Sequence, residues 1–165
     1  MENLANMDTC ALADRICRWM KQVGREHPRA FGCNLPCELV SCDAQKREVV
    51  FKFRTVPEMG NPWGVTHGGM LAVMLDWSMG VTGRAVLDYN HTPTVDMQIQ
   101  YLRPVPLDGE LYIRASVRKS GKKIAFLTAT AWTEDEEDPT TLATGVYYLR
   151  EQHLKIDERN ISPSE

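Results

Sequence analysis

The sequence predicts an α+β fold in which one antiparallel sheet wraps a single long helix, with a further helix ahead of it. Three observations carry this expectation. From Gly68 to about Val86 the chain is apolar almost all round, because Met70, Leu71, Val73, Met74, Leu75, Trp77, Met79 and Val81 cannot share one helical stripe; such a helix is buried on nearly every side. Four strand-like runs follow it, with tight turns between them. Two shorter runs precede it, so the sheet itself is the layer available to cover the helix.

The elements follow in order. Asp8 to Val23 reads as an amphipathic helix, with Leu12, Ile16, Trp19 and Val23 at three- to four-residue spacing, a cap at Asp8 or Thr9 and an end at Gly24. Leu35–Asp43 and Glu48–Val56 flank the polar 43–47 segment as a hairpin. Pro57–Pro62 carries Gly and two prolines and reads as a loop. Thr94–Leu102, Glu110–Lys119, Lys122–Trp132 and Leu142–Arg150 read as a sequential antiparallel meander. The N-terminal helix and self-association are expected to shield the sheet's other face. The resulting organisation is an N-terminal helical extension over 1–30, a single domain over 31–151 and a polar tail over 152–165.

Composition limits the function. In 165 residues, 43% hydrophobic and 25% charged, there is room for one ordinary globular core. Nineteen Lys and Arg against 22 Asp and Glu give a net charge of −3, which lacks the basic surface that nucleic-acid binding requires. The first residues lack the pattern of an export signal, and no uncharged stretch nears the ~18–20 residues of a bilayer span, so a cytoplasmic protein without membrane insertion is expected. The odd set of five cysteines, Cys10, Cys17, Cys33, Cys37 and Cys42, has no CxxC pair and reads as reduced structural thiols rather than a disulfide framework or zinc site.

Two features carry chemistry. Asp76 is the only acidic residue between His67 and Leu87 and sits amid Leu71, Val73, Leu75 and Trp77. A carboxylate there needs a reason: either it is satisfied by backbone or by Arg84, or it is a functional group whose pKa burial has raised. The second feature is the run Asn61-Pro-Trp-Gly-Val-Thr-His67-Gly68-Gly69 leading into the helix. Paired glycines at a helix start serve close packing or, through free N–H groups at the positive end of the dipole, a developing oxyanion.

The combination Asn61-x5-His67-Gly68-Gly69-x6-Asp76, followed by Thr94-Val-Asp-Met-Gln-Ile-Gln-Tyr101 and Arg103-Pro104, resembles the hotdog-fold acyl-CoA thioesterases. The resembling branch includes PaaI and thioesterase superfamily member 2. The resemblance covers roughly residues 48–149. It implies hydrolysis of acyl-CoA to free acid and CoA, with Asp76 as general base or nucleophile and the Gly68 backbone N–H polarising the thioester carbonyl. Asn61 is implied to orient water or substrate, His67 to support the loop and carbonyl, and Thr94 to position water beside the carboxylate. For the CoA moiety the expected contacts are Gly69, Arg103 and the basic turn Arg118, Lys119, Gly121, Lys122 and Lys123, whose cations suit phosphates. Trp63, Met70, Met74 and Trp77 are expected to line core or acyl pocket.

Helix geometry adds a constraint. His67 and Asp76 are nine residues apart, which puts them about 13 Å apart on opposite helix faces. They cannot readily serve one carbonyl from one chain, and the resemblance implies a homodimer, with dimers pairing into a homotetramer, in which Asn61, His67 and Gly68 of one subunit face Asp76 of the other. No metal or cofactor is required for so good a leaving group, CoA being part of the substrate. A non-catalytic acyl-CoA-binding module and a hydratase or dehydratase on the same scaffold are the alternatives. The acyl group stays open among aromatic, medium-chain and long-chain.

Overall fold

The computed structural model describes residues 8–89 and 91–150. The predicted tail over 152–165 and the first seven residues lie outside the described residues. Helix α1 (Thr9–Glu26) starts at the Asp8 cap, whose carboxylate accepts from the Cys10 N–H, and runs through Gly24 rather than stopping there. Strands β1 (Cys37–Asp43) and β2 (Glu48–Arg54) form the expected hairpin. The long helix α2 spans Gly68–Leu87. Strands β3 (Thr94–Tyr101), β4 (Glu110–Ser120), β5 (Ile124–Trp132) and β6 (Thr141–Tyr148) complete one six-stranded antiparallel sheet.

Alternation decides which side of the sheet meets α2. Leu111, Ile113, Ala115 and Val117 of β4 and Leu127, Ala129 and Ala131 of β5 point inward and are buried, as are Phe51 and Phe53 of β2. Trp77 of α2 meets Phe51 and Phe53 edge-on, with ring centroids 5.1 and 5.7 Å away. By length and apolarity α2 resembles a bilayer span, yet 61% of its most apolar stretch is buried inside this protein. It is the core helix.

Two expectations need correction. The strand order is β1-β2-β4-β5-β6-β3, so only β4, β5 and β6 form a meander, whereas β3 pairs with β6 at the far edge. The reason is α2, which lies across the sheet and delivers the chain to the edge opposite β1. The second concerns α1, which does not cover the sheet's other face. Its Leu12 and Ile16 join the same core, its Trp19 ring lies 6.3 Å from Trp77, and Arg15 donates to the Ala85 carbonyl and pairs with Asp88 at the C-terminal cap of α2. The apolar stripe that makes α1 amphipathic is thus satisfied beside α2. The outer face over β2 and β4 carries ion pairs instead, including Lys52 with Glu38 and Glu110 and Arg114 with Glu136.

The cysteines are free; Cys10 and Cys17 are exposed and the other three half-buried.

Candidate active site

Two clusters of polar groups lie at different places along α2. The first is the loop entering the helix. Asn61 Oδ1 accepts from the Trp63 and Val65 N–H groups at 3.0 and 3.3 Å, closing an Asx turn, and Gly64 takes a φ of +76° within it. His67 is the helix N-cap: its Nδ1 accepts from the Gly69 N–H at 2.9 Å, while its own N–H donates to the Met59 carbonyl. The Gly69 N–H is therefore already satisfied, contrary to the expectation of two free amides. The Gly68 carbonyl accepts from Tyr101 Oη at 2.9 Å, and a Cβ on Gly68 would meet the Tyr101 ring at 3.4 Å. Among the described residues no acceptor is set against the Gly68 N–H, which is left at the positive end of α2. Asn61 retains only its amide N–H2 for any partner outside its loop.

The second cluster surrounds Asp76, half-buried in the middle of α2. Thr94 Oγ1 donates to Asp76 Oδ1 at 2.6 Å, and Tyr147 Oη donates to the same oxygen at 2.9 Å. Among the described residues Asp76 Oδ2 has no donor. Tyr147 is 1% exposed, and burial, followed by the charge and hydrogen bond of Asp76, raises its pKa, so it stays a phenol and a donor. Arg84 does not pair with Asp76; its guanidinium stacks on the Trp19 ring, 4.9 Å from the centroid.

Tyr147 escaped sequence reading because it sits in a run read only as a strand. Its signal is strand alternation, which puts one tyrosine on the inward face of β6, where a buried phenol must find a partner. Gly145 makes room for it: a Cβ there would lie 2.7 Å from the Tyr147 ring.

The remaining predicted residues divide between these places. Arg103 borders a cavity of about 310 Å³ with Gly68, Leu71 and Tyr101, and its guanidinium is paired with Asp138. The basic turn lies at the opposite end of the sheet, since Ile124 stands opposite Tyr148 and Thr94 opposite Tyr147. There Arg118, Lys119, Lys122 and Lys123 are exposed and, among the described residues, hold no ion pair, and the Gly121 N–H closes the turn on the Ile124 carbonyl. Within one chain the two expected CoA contacts are therefore separated. Met74 and Trp77 sit in the core and its aromatic edge, Met70 is half-buried, and Trp63 is 84% exposed.

Comparison with known proteins places this arrangement. The family model of the thioesterase superfamily matches residues 64–140. Human acyl-coenzyme A thioesterase 13 is 30% identical over 111 residues, covering 66% of this chain and 71% of that protein. Acyl-coenzyme A thioesterase THEM4 of Bos taurus is 30% identical over 118 residues, 71% of this chain, and the chain spans only 45% of its length. Among solved structures, zebrafish thioesterase superfamily member 2 superposes with a TM-score of 0.69 at 20% identity, over 87% of this chain and 99% of that one. The Escherichia coli PaaI protein of the phenylacetic acid degradation operon gives 0.68 at 19%, over 84% and 95%. A Streptococcus mutans protein bound to acetyl CoA gives 0.65 at 20%, over 76% and 94%. The human relative aligns over most of its length, so the chain belongs to the thioesterase superfamily, and it has the hotdog fold of these solved structures.

Proposed function

We propose that the chain hydrolyses acyl-CoA thioesters to the free acid and CoA, at two equivalent sites each shared between the subunits of a homodimer. The observation that carries this reading is the Asp76 carboxylate, with one oxygen held by two hydroxyls and the other without a donor among the described residues. Thr94 and Tyr147 fix its orientation, which leaves Oδ2 to take a proton from water. The water oxygen attacks the thioester carbon, its proton passes to Asp76, and the oxyanion meets the Gly68 N–H of the partner subunit, aided by the helix dipole. Collapse of the intermediate breaks the C–S bond, and the departing thiolate of CoA receives the proton from Asp76.

The edge position of β3 supports the shared site. Among the described residues its outer edge is unpaired, with Val95 61% exposed. Antiparallel pairing of β3 with its copy sets the Thr94 end of one strand beside the Tyr101 end of the other. Each Asp76 cluster then faces the partner's Gly68 loop and Arg103, and each basic turn comes to the same end as the partner's helix start. The outward Ile124, Phe126 and Tyr148, all exposed, offer a second surface on which dimers pair into a tetramer.

The test is free-thiol release from a panel of acyl-CoA substrates by the wild-type chain and by Asp76→Asn. We expect turnover in the wild type and a loss of at least about a hundredfold in the variant, with folding and assembly intact. Near-normal activity in the variant overturns the role of Asp76, and silence of the wild type on the whole panel favours a binding module.

A further inference from the structure

The cavity that holds Asp76 does not end there. It has a volume of about 160 Å³ and continues along α2 past Gly80 to Arg84, with Trp19, His91 and Thr92 on its walls. Asp76, Gly80 and Arg84 follow one another at four-residue spacing and share a stripe of the helix. Arg84 is half-buried, and burial presses its pKa down, yet among the described residues no carboxylate pairs with it. Three other arginines do pair, Arg15 with Asp88, Arg103 with Asp138 and Arg114 with Glu136, and Arg47, half-buried like Arg84, donates to the Ser120 hydroxyl. Behind the same walls, Trp19 Nε1 and His91 Nδ1 are fully buried and have no hydrogen-bond partner among the described residues. Burial, then the charges of Arg150 and Arg84, holds the His91 pKa low, so its ring is neutral and one nitrogen carries a proton to give.

A half-buried cation at one end of an acyl cavity, faced by the Trp19 ring but by no anion among the described residues, is costly. An alkyl terminus would leave that charge without a counter-ion, whereas a carboxylate would offset it. We propose that the acyl group of the substrate ends in a carboxylate held by Arg84, so that the preferred thioesters are ω-carboxyacyl-CoAs. This rests on the thioesterase reading, which supplies the scissile carbonyl at Asp76. The eight residues from Asp76 to Arg84 span about 12 Å, and side chains on a helix lean toward its N-terminus, which shortens the gap to roughly 6–12 Å. At about 1.2 Å per bond in an extended chain, this fits acyl groups of roughly six to ten carbons.

The experiment compares chain-matched pairs on the full-length protein: adipoyl-, suberoyl- and sebacoyl-CoA against hexanoyl-, octanoyl- and decanoyl-CoA. A charge-assisted contact predicts kcat/KM higher by about tenfold to a hundredfold for at least one dicarboxylic member. Arg84→Gln should bring that ratio close to one, chiefly through KM, and Arg84→Lys should keep part of it. Equal or better hydrolysis of the monocarboxylic partner at all three lengths overturns the inference and leaves the thioesterase reading intact. Silence on all six substrates counts against hydrolysis itself. Calorimetry with the thioether analogues of suberoyl- and octanoyl-CoA then decides the carboxylate subsite separately: tighter binding of the carboxylate analogue, lost in Arg84→Gln, supports it, and equal binding rejects it.

Discussion

The loop that starts α2 and the pocket at its middle use polar groups in opposite ways. In the loop nearly every one is consumed locally: Asn61 Oδ1 closes its own turn, His67 Nδ1 caps Gly69, and the Gly68 carbonyl is held by Tyr101, so the Gly68 N–H stands out by having no acceptor among the described residues. At Asp76 the groups come from distant parts of the chain, from β3 and β6, and converge on one oxygen of one carboxylate. The first is a rigid scaffold that presents a single backbone donor. The second is a base oriented by tertiary contacts, with a cation beyond it that pairs with no carboxylate among the described residues. The two halves of the chemistry therefore fail differently: one through the backbone, the other through side-chain partners.

The sharpest way to break the comparison is Gly68→Pro. Proline is suited to the first helical position, and the preceding His67, at φ −63° and ψ 135°, already has the conformation that precedes proline, so the helix should form while its one free amide is lost. We expect kcat to fall by about 10²–10³, as for removal of an oxyanion donor. Mixing this variant with Asp76→Asn sharpens the point, because mixed dimers regain one intact site if the halves come from different subunits. Activity that does not return on subunit exchange argues for a site within one chain.

Tyr147→Phe tests the other half. Loss of one hydrogen bond to the charged carboxylate should lower kcat by about tenfold with little change in KM, since Thr94 still holds the same oxygen. A variant indistinguishable from wild type would mean that the phenol serves packing alone. The smallest effect is expected for His67→Ala. Losing the cap should cost about 1 kcal/mol of stability and, for a chain of this size, a drop of about 2–4 °C in Tm, with kcat nearly preserved. A hundredfold fall in kcat would show instead that the imidazole acts on the substrate.

Much of this was legible in the residues. The all-round apolarity of 70–81 could only belong to a surrounded helix, and a lone aspartate within it drew attention to position 76 without any structure. The resemblance implied that Thr94 positions water beside the carboxylate, and in the structure its hydroxyl donates to Asp76 Oδ1 itself. Local chemistry also set the loop, where Asn, Gly and His satisfy groups two to four residues away. The expectation of two free amides failed because a side chain two residues upstream of Gly69 had a use of its own.

What sequence could not supply is what depends on long-range placement. Periodicity gives a strand its two faces but not its neighbour, so the pairing of β3 with β6, the edge it leaves open and the presence of Tyr147 beside Asp76 all waited on the path of α2 across the sheet. The stripe of α1 announced that it would pack, but not that it would pack beside α2 and place Trp19 under Arg84. The sequence by itself determined the buried helix, its carboxylate and its glycine start, because these follow from local pattern and the cost of burying charge. Tertiary structure alone decided which donors hold the carboxylate and which cation stands unmet beyond it, because those contacts join residues up to 71 positions apart.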